Sequence, residues 1–134
     1  MLLDTSVVVE IFRSPAGSAR FRKIVAEVGD EETYVSMVQL AEIADWATKN
    51  GAPPQSRVDA VKEFARIVPL DERICLNASE IKHRRRNAEH GDFGLIDGII
   101  LATARSIGQR VLTIDKDFSG ESDCLVIGHD SAGI

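Results

Sequence analysis

Gly94-Leu95-Ile96-Asp97-Gly98-Ile99-Ile100-Leu101-Ala102-Thr103-Ala104 is an apolar run at helical spacing with a single carboxylate inside it. At about 100° per residue, Ile96, Ile100, Ala104 and Ile107 form one stripe, and Asp97 falls roughly 60° from its centre, beside Ile100, Leu101 and Ala104. A helix this apolar has to be covered by other elements, which places Asp97 at the edge of a core. An ionised carboxylate there is costly unless it is paired, hydrogen-bonded or metal-bound.

On both sides of this helix the chain alternates strand and helix signals. Leu2-Leu3 opens a short strand that ends at Asp4, with Thr5 or Ser6 placed to cap the next helix. Ser14-Pro15-Ala16-Gly17 interrupts that helix, and a second runs from about Ser18 to Val28. Thr33 to Val35 read as a strand, and Ser36 caps a helix carrying Val38, Ala41, Glu42, Asp45 and Trp46 that ends near Asn50-Gly51. Past Pro53-Pro54, a helix is marked by Val58, Val61, Phe64 and Ala65, a strand by Ile67 to Leu70, and a helix from Asp71 toward Arg86. Asn87 to Gly94 is a polar loop; Gly108 closes the Asp97 helix. Arg110 to Ile114 and Leu125 to Ile127 are strands separated by a turn at Lys116 to Gly120.

This order predicts one α/β domain over residues 1–134, with a mostly parallel central sheet flanked by helices on both faces. Ligands of such sheets bind beyond the carboxyl ends of the strands. Asp4 and Asp115 both stand at such ends, so carboxylates far apart in sequence can meet. Composition agrees: 134 residues, 44% hydrophobic and 28% charged, suffice for one core without a second domain. Met1 to Glu10 have two acidic residues, Asp4 and Glu10, and no basic one, unlike a signal peptide, and no apolar run approaches the ~18 residues of a membrane span, so a cytoplasmic protein is expected. Cys75 and Cys124 lack metal-ligand spacing and read as buried thiols. The net charge of −5 argues against a wholly basic nucleic-acid surface but leaves room for local patches at Arg13, Arg20, Arg22 and Lys23, and at Lys82, Arg84, Arg85 and Arg86.

Asp4, Glu42, Asp97 and Asp115 are the candidate site, and each has an ordinary alternative. Asp4 could cap the first helix. Glu42, with Asp45 three residues on, could belong to a solvated face. Asp115 and Asp117 both fall after a strand, where aspartate shapes turns; spacing favours Asp115 for the site and Asp117 for a supporting role. The Lys82-His83-Arg84-Arg85-Arg86 run fits either a solvated helix end or a grip on a nucleic-acid backbone. His83, His90 and His129 share no metal-ligand spacing, and Trp46 and Phe64 read as core or dimer contacts.

Leu3-Asp4-Thr5-Ser6, Leu40-Ala41-Glu42-Ile43, Ile96-Asp97-Gly98-Ile99 and Thr113-Ile114-Asp115-Lys116-Asp117-Phe118, in this order and spacing, resemble a PIN-domain ribonuclease, and with the chain length resemble the VapC toxins of VapBC toxin–antitoxin pairs. Gly98 departs mildly, since alanine or another small residue is commoner there. The resemblance implies a PIN-like fold and an endoribonuclease that hydrolyses RNA phosphodiester bonds with Mg²⁺ or Mn²⁺, hard cations suited to carboxylates. It implies Asp4 and Asp97 as direct ligands, with Glu42 and Asp115 completing the metal site. Thr5, Ser6 and Asp117 would support them, and Arg84, Arg85 and Arg86 would contact RNA. A homodimer and a cognate VapB-type antitoxin are further implications. Two other classes compete: a catalytically idle PIN-type binding module, which would usually have lost an acid, and a Mg²⁺-dependent haloacid-dehalogenase-like phosphatase, whose Asp-x-Asp motif would need aspartate where Ser6 stands.

Overall fold

The computed structural model describes residues 1–88 and 91–128. His90, His129 and part of the Asn87 to Gly94 loop lie outside the described residues. The elements are β1 (Leu2–Leu3), α1 (Thr5–Arg13), α2 (Ala19–Val28), β2 (Tyr34–Ser36), α3 (Met37–Lys49), α4 (Pro54–Phe64), β3 (Arg66–Val68), α5 (Glu72–Asn87), α6 (Leu95–Ser106), β4 (Val111–Thr113), a 3₁₀ turn (Lys116–Phe118) and β5 (Cys124–Val126).

Five strands form one sheet in the order β3-β2-β1-β4-β5, and every pairing is parallel. Alternation along each strand sends side chains to opposite faces. Leu3, Val35 and Leu112 join one core with Val7, Val8, Ile24, Ile43 and Val61. Leu2 and Val111 join a second with Ile74, Ala78, Ile81, Ile100 and Leu101. The first core is roofed by α1 to α4 and the second by α5 and α6, so helices cover both faces as predicted.

The α5–α6 pairing explains Gly98. A Cβ there would stand 2.5 Å from the carbonyl oxygen of Ala78, so glycine lets the two backbones approach closely. Local signals set most boundaries: Ser18 accepts from the Phe21 N–H, Asp71 from the Ile74 N–H, and Ser36 from the Val38 N–H. Two expectations change. Position Asp4, not Thr5 or Ser6, precedes the first turn of α1. Cys75 is exposed, because α5 buries the Ile74, Ala78, Ile81 stripe and turns its neighbour outward; Cys124 is half-buried, and burial pushes its thiol up to about 12.

The chain leaves central β1 outward to β2 and β3, then returns to β4 on the other side of β1. The reversal lies between β1 and β4, where diverging connections leave a crevice beyond the strand ends. Asp4 follows β1 and Asp115 follows β4.

Candidate metal centre

Asp4 is 4% exposed, yet its carboxylate does not cap α1. Ser6 Oγ and Thr113 Oγ1 both donate to its Oδ2, at 2.6 and 2.8 Å. Each hydroxyl also ties in the β4 end, because Ser6 Oγ accepts from the Ile114 N–H and Thr113 Oγ1 from the Asp115 N–H. The same bonds that fix Asp4 therefore fix the start of the Asp115 segment. Asp115 Oδ1 accepts from the Asp117 N–H at 2.9 Å, which sets the 3₁₀ turn, and Phe118 is buried beneath it.

Glu42 is reached through α3. Ser36 and Gln39 form a reciprocal cap at its start, and buried Gln39 donates to the Leu3 carbonyl and to Thr5 Oγ1. With its lone pair thus engaged, Thr5 Oγ1 donates to Glu42 Oε1 at 2.6 Å. Glu42 is consequently half-buried and anchored, not an ordinary surface glutamate. Asp97 lies in the first turn of α6, where its Oδ2 accepts from the Gly94 N–H at 2.8 Å. That bond gives Asp97 a helix-capping duty that its apolar surroundings in sequence did not announce.

The electrostatics tie the four together. Burial, then the Gly94 bond acting oppositely, then the charges of Asp4, Asp115 and Glu42 leave the Asp97 pKa raised from 3.8 to about 7. Burial also raises Asp4, which feels Asp115, and Glu42, which feels Asp4. For these three acids the significant neighbouring charges are all carboxylates, with no basic side chain among them. Glu42, Asp97 and Asp115 each have one oxygen held by the protein, while both hydroxyls on Asp4 fall on the same oxygen. Among the described residues, no three acidic, histidine or cysteine side chains stand close enough together to hold a metal ion as they are placed. Like charges around a shared space repel, and one anchored oxygen apiece is a donor set that fits a hard cation able to offset that repulsion.

Thr5 and Ser6, expected to hold a ligand or water, bond directly to Glu42 and Asp4. Thr113 and Gln39 escaped the sequence reading of the site. Thr113 carried a signal, since it ends a strand two residues before Asp115; Gln39 carried another, as the third residue after the Ser36 cap. Ser6 occupies the position where an Asp-x-Asp phosphatase needs its second aspartate, and its hydroxyl is spent on Asp4.

The arginine run requires a correction. Arg85 is 5% exposed and cannot reach out to an RNA backbone. Its guanidinium donates to the carbonyls of Asp117 and Ser119, meets Glu121 and lies 5.3 Å from the centre of the Phe93 ring. It clamps the turn after Asp115 to the segment before Asp97. Arg84 is exposed and pairs with Glu121 at 3.0 Å, opening on a groove shared with Asp71, Arg73 and Arg105. Arg86 is exposed and donates from Nε to the Phe93 carbonyl.

Comparison with known proteins gives the same architecture. No curated protein sequence matches. A toxin–antitoxin complex from Klebsiella pneumoniae contains a chain that superposes with a TM-score of 0.73 at 21% identity, covering 93% of this chain and 95% of that one. VapBC2 from Rickettsia felis, bound to a DNA fragment from its promoter, gives 0.70 at 15% identity, with coverage of 94% and 96%. FitAcB from Neisseria gonorrhoeae gives 0.64 at 24% identity, covering 95% and 96%. The PIN domain pattern matches residues 1–120, which carry all four acids. On this match the chain belongs to the PIN-domain family.

Proposed function

We propose that this protein is an endoribonuclease dependent on Mg²⁺ or Mn²⁺, that it is the VapC-type toxin of a toxin–antitoxin pair, and that a cognate VapB-type antitoxin restrains it. The reading rests on Asp4, Glu42, Asp97 and Asp115, each held by a hydroxyl or backbone donor, and on the repulsion from the other three that helps raise Asp97. Asp4 and Asp97 are the proposed direct ligands, with Glu42 and Asp115 holding a second ion or orienting water. A bound divalent ion would supply Lewis acidity and favour deprotonation of water.

The chain's own residues prepare that chemistry. Ser6 and Thr113 hold Asp4 with its carboxylate shielded from bulk water, and Thr5 presents Glu42. With its pKa raised to about 7, Asp97 is only partly ionised near neutral pH, so cation affinity would rise with pH. Attack by water with the P–O3′ bond breaking, without the ribose 2′-hydroxyl, would leave a 5′-phosphate and a 3′-hydroxyl.

A homodimer and a cytoplasmic location belong to the same proposal. Of the apolar positions on α3 and α4, Val61 is buried in the first core and Val38 packs against the second. What remains is the Phe12, Trp46 and Phe64 cluster, with Phe64 37% exposed, and light scattering on the purified chain checks the dimer. Among the described residues no helix is long and apolar enough to cross a membrane. The test of activity is cleavage of a mixed structured-RNA pool with Mg²⁺, Mn²⁺ or EDTA. Metal-dependent products bearing 5′-phosphates support the proposal, and equal cleavage by Asp97→Asn would overturn it.

A further inference from the structure

An RNA strand brings phosphates on both sides of the bond to be cut, and four carboxylates repel them. Affinity must come from cations beside the acidic crevice. The Arg84–Arg86 run, expected to supply them, is largely engaged elsewhere. A groove of about 930 Å³ between α1 and the start of α2 begins at Thr5, Ser6 and Ile114, in contact with the acidic centre, and ends at Arg13 and Arg20.

Ser6, Glu10 and Arg13 recur at i, i+4 and i+7, so one face of α1 leads from Asp4 to Arg13 over roughly 10 Å of helix axis. Glu10 on this path would repel a phosphate, but its carboxylate is met by Arg20 at 3.5 Å and by Ser14 Oγ at 3.0 Å. Arg13 is exposed, and no ion pair or hydrogen bond engages its side chain among the described residues. The opposite wall includes Ser18, which caps the ten-residue α2, and Ala19 in its first turn. The amino end of a helix adds partial positive charge and N–H donors for an anion.

We propose that this groove is a substrate subsite: it carries the RNA strand away from the cleaved bond, and Arg13, aided by Arg20 and the amino end of α2, binds a backbone phosphate close to that bond. The proposal rests on the nuclease reading and names where its substrate lies. Because phosphate contacts position a strand without reading its bases, Arg13 acts on affinity across sequences. Arg13 also ends α1, where positive charge complements the helix dipole, so stability has to be measured beside binding.

The test uses full-length protein and a fluorescent single-stranded RNA. Binding is followed against salt in an Asp97→Asn background, and steady-state cleavage in the otherwise native chain. Arg13→Ala is expected to weaken binding about tenfold, to lower the salt slope by about 0.7, and to raise KM with kcat within about twofold. Arg13→Lys restores most of the affinity; Lys62→Ala, exposed on α4 outside the groove, changes neither quantity. Melting curves of Arg13→Ala that match the native chain assign the loss to binding. Native RNA binding and salt slope in Arg13→Ala overturn the subsite while leaving the nuclease reading intact. A fall in kcat alone also overturns it, as does weakened binding of an acidic peptide with RNA unaffected. Absence of RNA binding and cleavage by the native chain overturns both.

Discussion

Two charged regions flank the α6 helix and use their charges in opposite ways. Around Arg85, acids and bases compensate one another: Glu121 meets Arg84, Arg85 and Arg105, and Asp123 receives a second bond from Arg105 at 2.7 Å. Burial works against ionisation of Glu121, but bonds from Arg105 and Arg84 overcome it and hold its carboxyl below the usual range; Arg105 does the same for Asp123. In the crevice, Asp4, Glu42 and Asp97 have hydroxyl and amide donors, the neighbouring charges that act most on them are carboxylates, and all three are raised. The compensated region is expected to stabilise the fold, whereas under the proposed function a cation from outside the chain would offset the charge of the other. Mutations should therefore separate stability from activity according to the region they touch.

The largest expected effect is Asp97→Asn, which keeps the shape and removes a central charge. Metal-dependent RNA cleavage should fall by more than about 100-fold, beyond what loss of a mere supporting partner causes, with melting temperature unchanged or higher. Cleavage assays beside thermal melts check it. Arg85→Ala reverses the pattern: removing a buried, multiply bonded guanidinium should destabilise by about 3 kcal/mol, measurable by urea unfolding. A loss below 1 kcal/mol would dissolve the contrast between the regions.

Thr113→Val should then cost roughly tenfold in metal affinity or cleavage, since it removes a donor from Asp4 and an acceptor from the Asp115 N–H. A Mn²⁺ titration read by enzyme activity decides it. The smallest effect is on pH. Asp97 titrates at about 7 when folded against 3.8 ordinarily, so the metal-free folded protein binds more protons than the unfolded chain in that window. Its stabilising contribution is full below about 4 and lost as pH rises through 7. Metal-free unfolding should thus be easier at pH 8 than at pH 5, and Asp97→Asn should flatten this part of the dependence; an unchanged profile would contradict the assignment.

The layered fold was legible because each element carried its own period and cap, and the paired helices and strands then had one economical arrangement. Strand limits were less so. The third strand pairs at Arg66–Val68, starting one residue and ending two residues before its expected limits of Ile67 and Leu70, because the partner Tyr34–Ser36 sets the register. Asp97 stood out since a charge in an apolar helix needs a reason, and Asp115 since it follows a strand end, while Glu42 gained weight only from the family pattern. Arg85 was misread within a basic run, although Ile74, Ala78, Ile81 and Arg85 continue one helical stripe that marks the inward face. The hydroxyl relay from Ser6 and Thr113 to Asp4 depends on β1 and β4 lying side by side, a long-range fact that no local period contains.

If the crevice carboxylates bind a cation, as proposed, adding it stabilises the fold. Thermal unfolding at pH 8 with EDTA, Mg²⁺ or Mn²⁺, for the native chain and Asp97→Asn, tests it most directly. At about 100 times Kd the cation should add roughly 2.7 kcal/mol, or about 5–10 °C in Tm for a domain of this size, and Asp97→Asn should lose most of that gain. Identical native melting temperatures with EDTA and millimolar metal, or an equal rise in Asp97→Asn, would contradict the account.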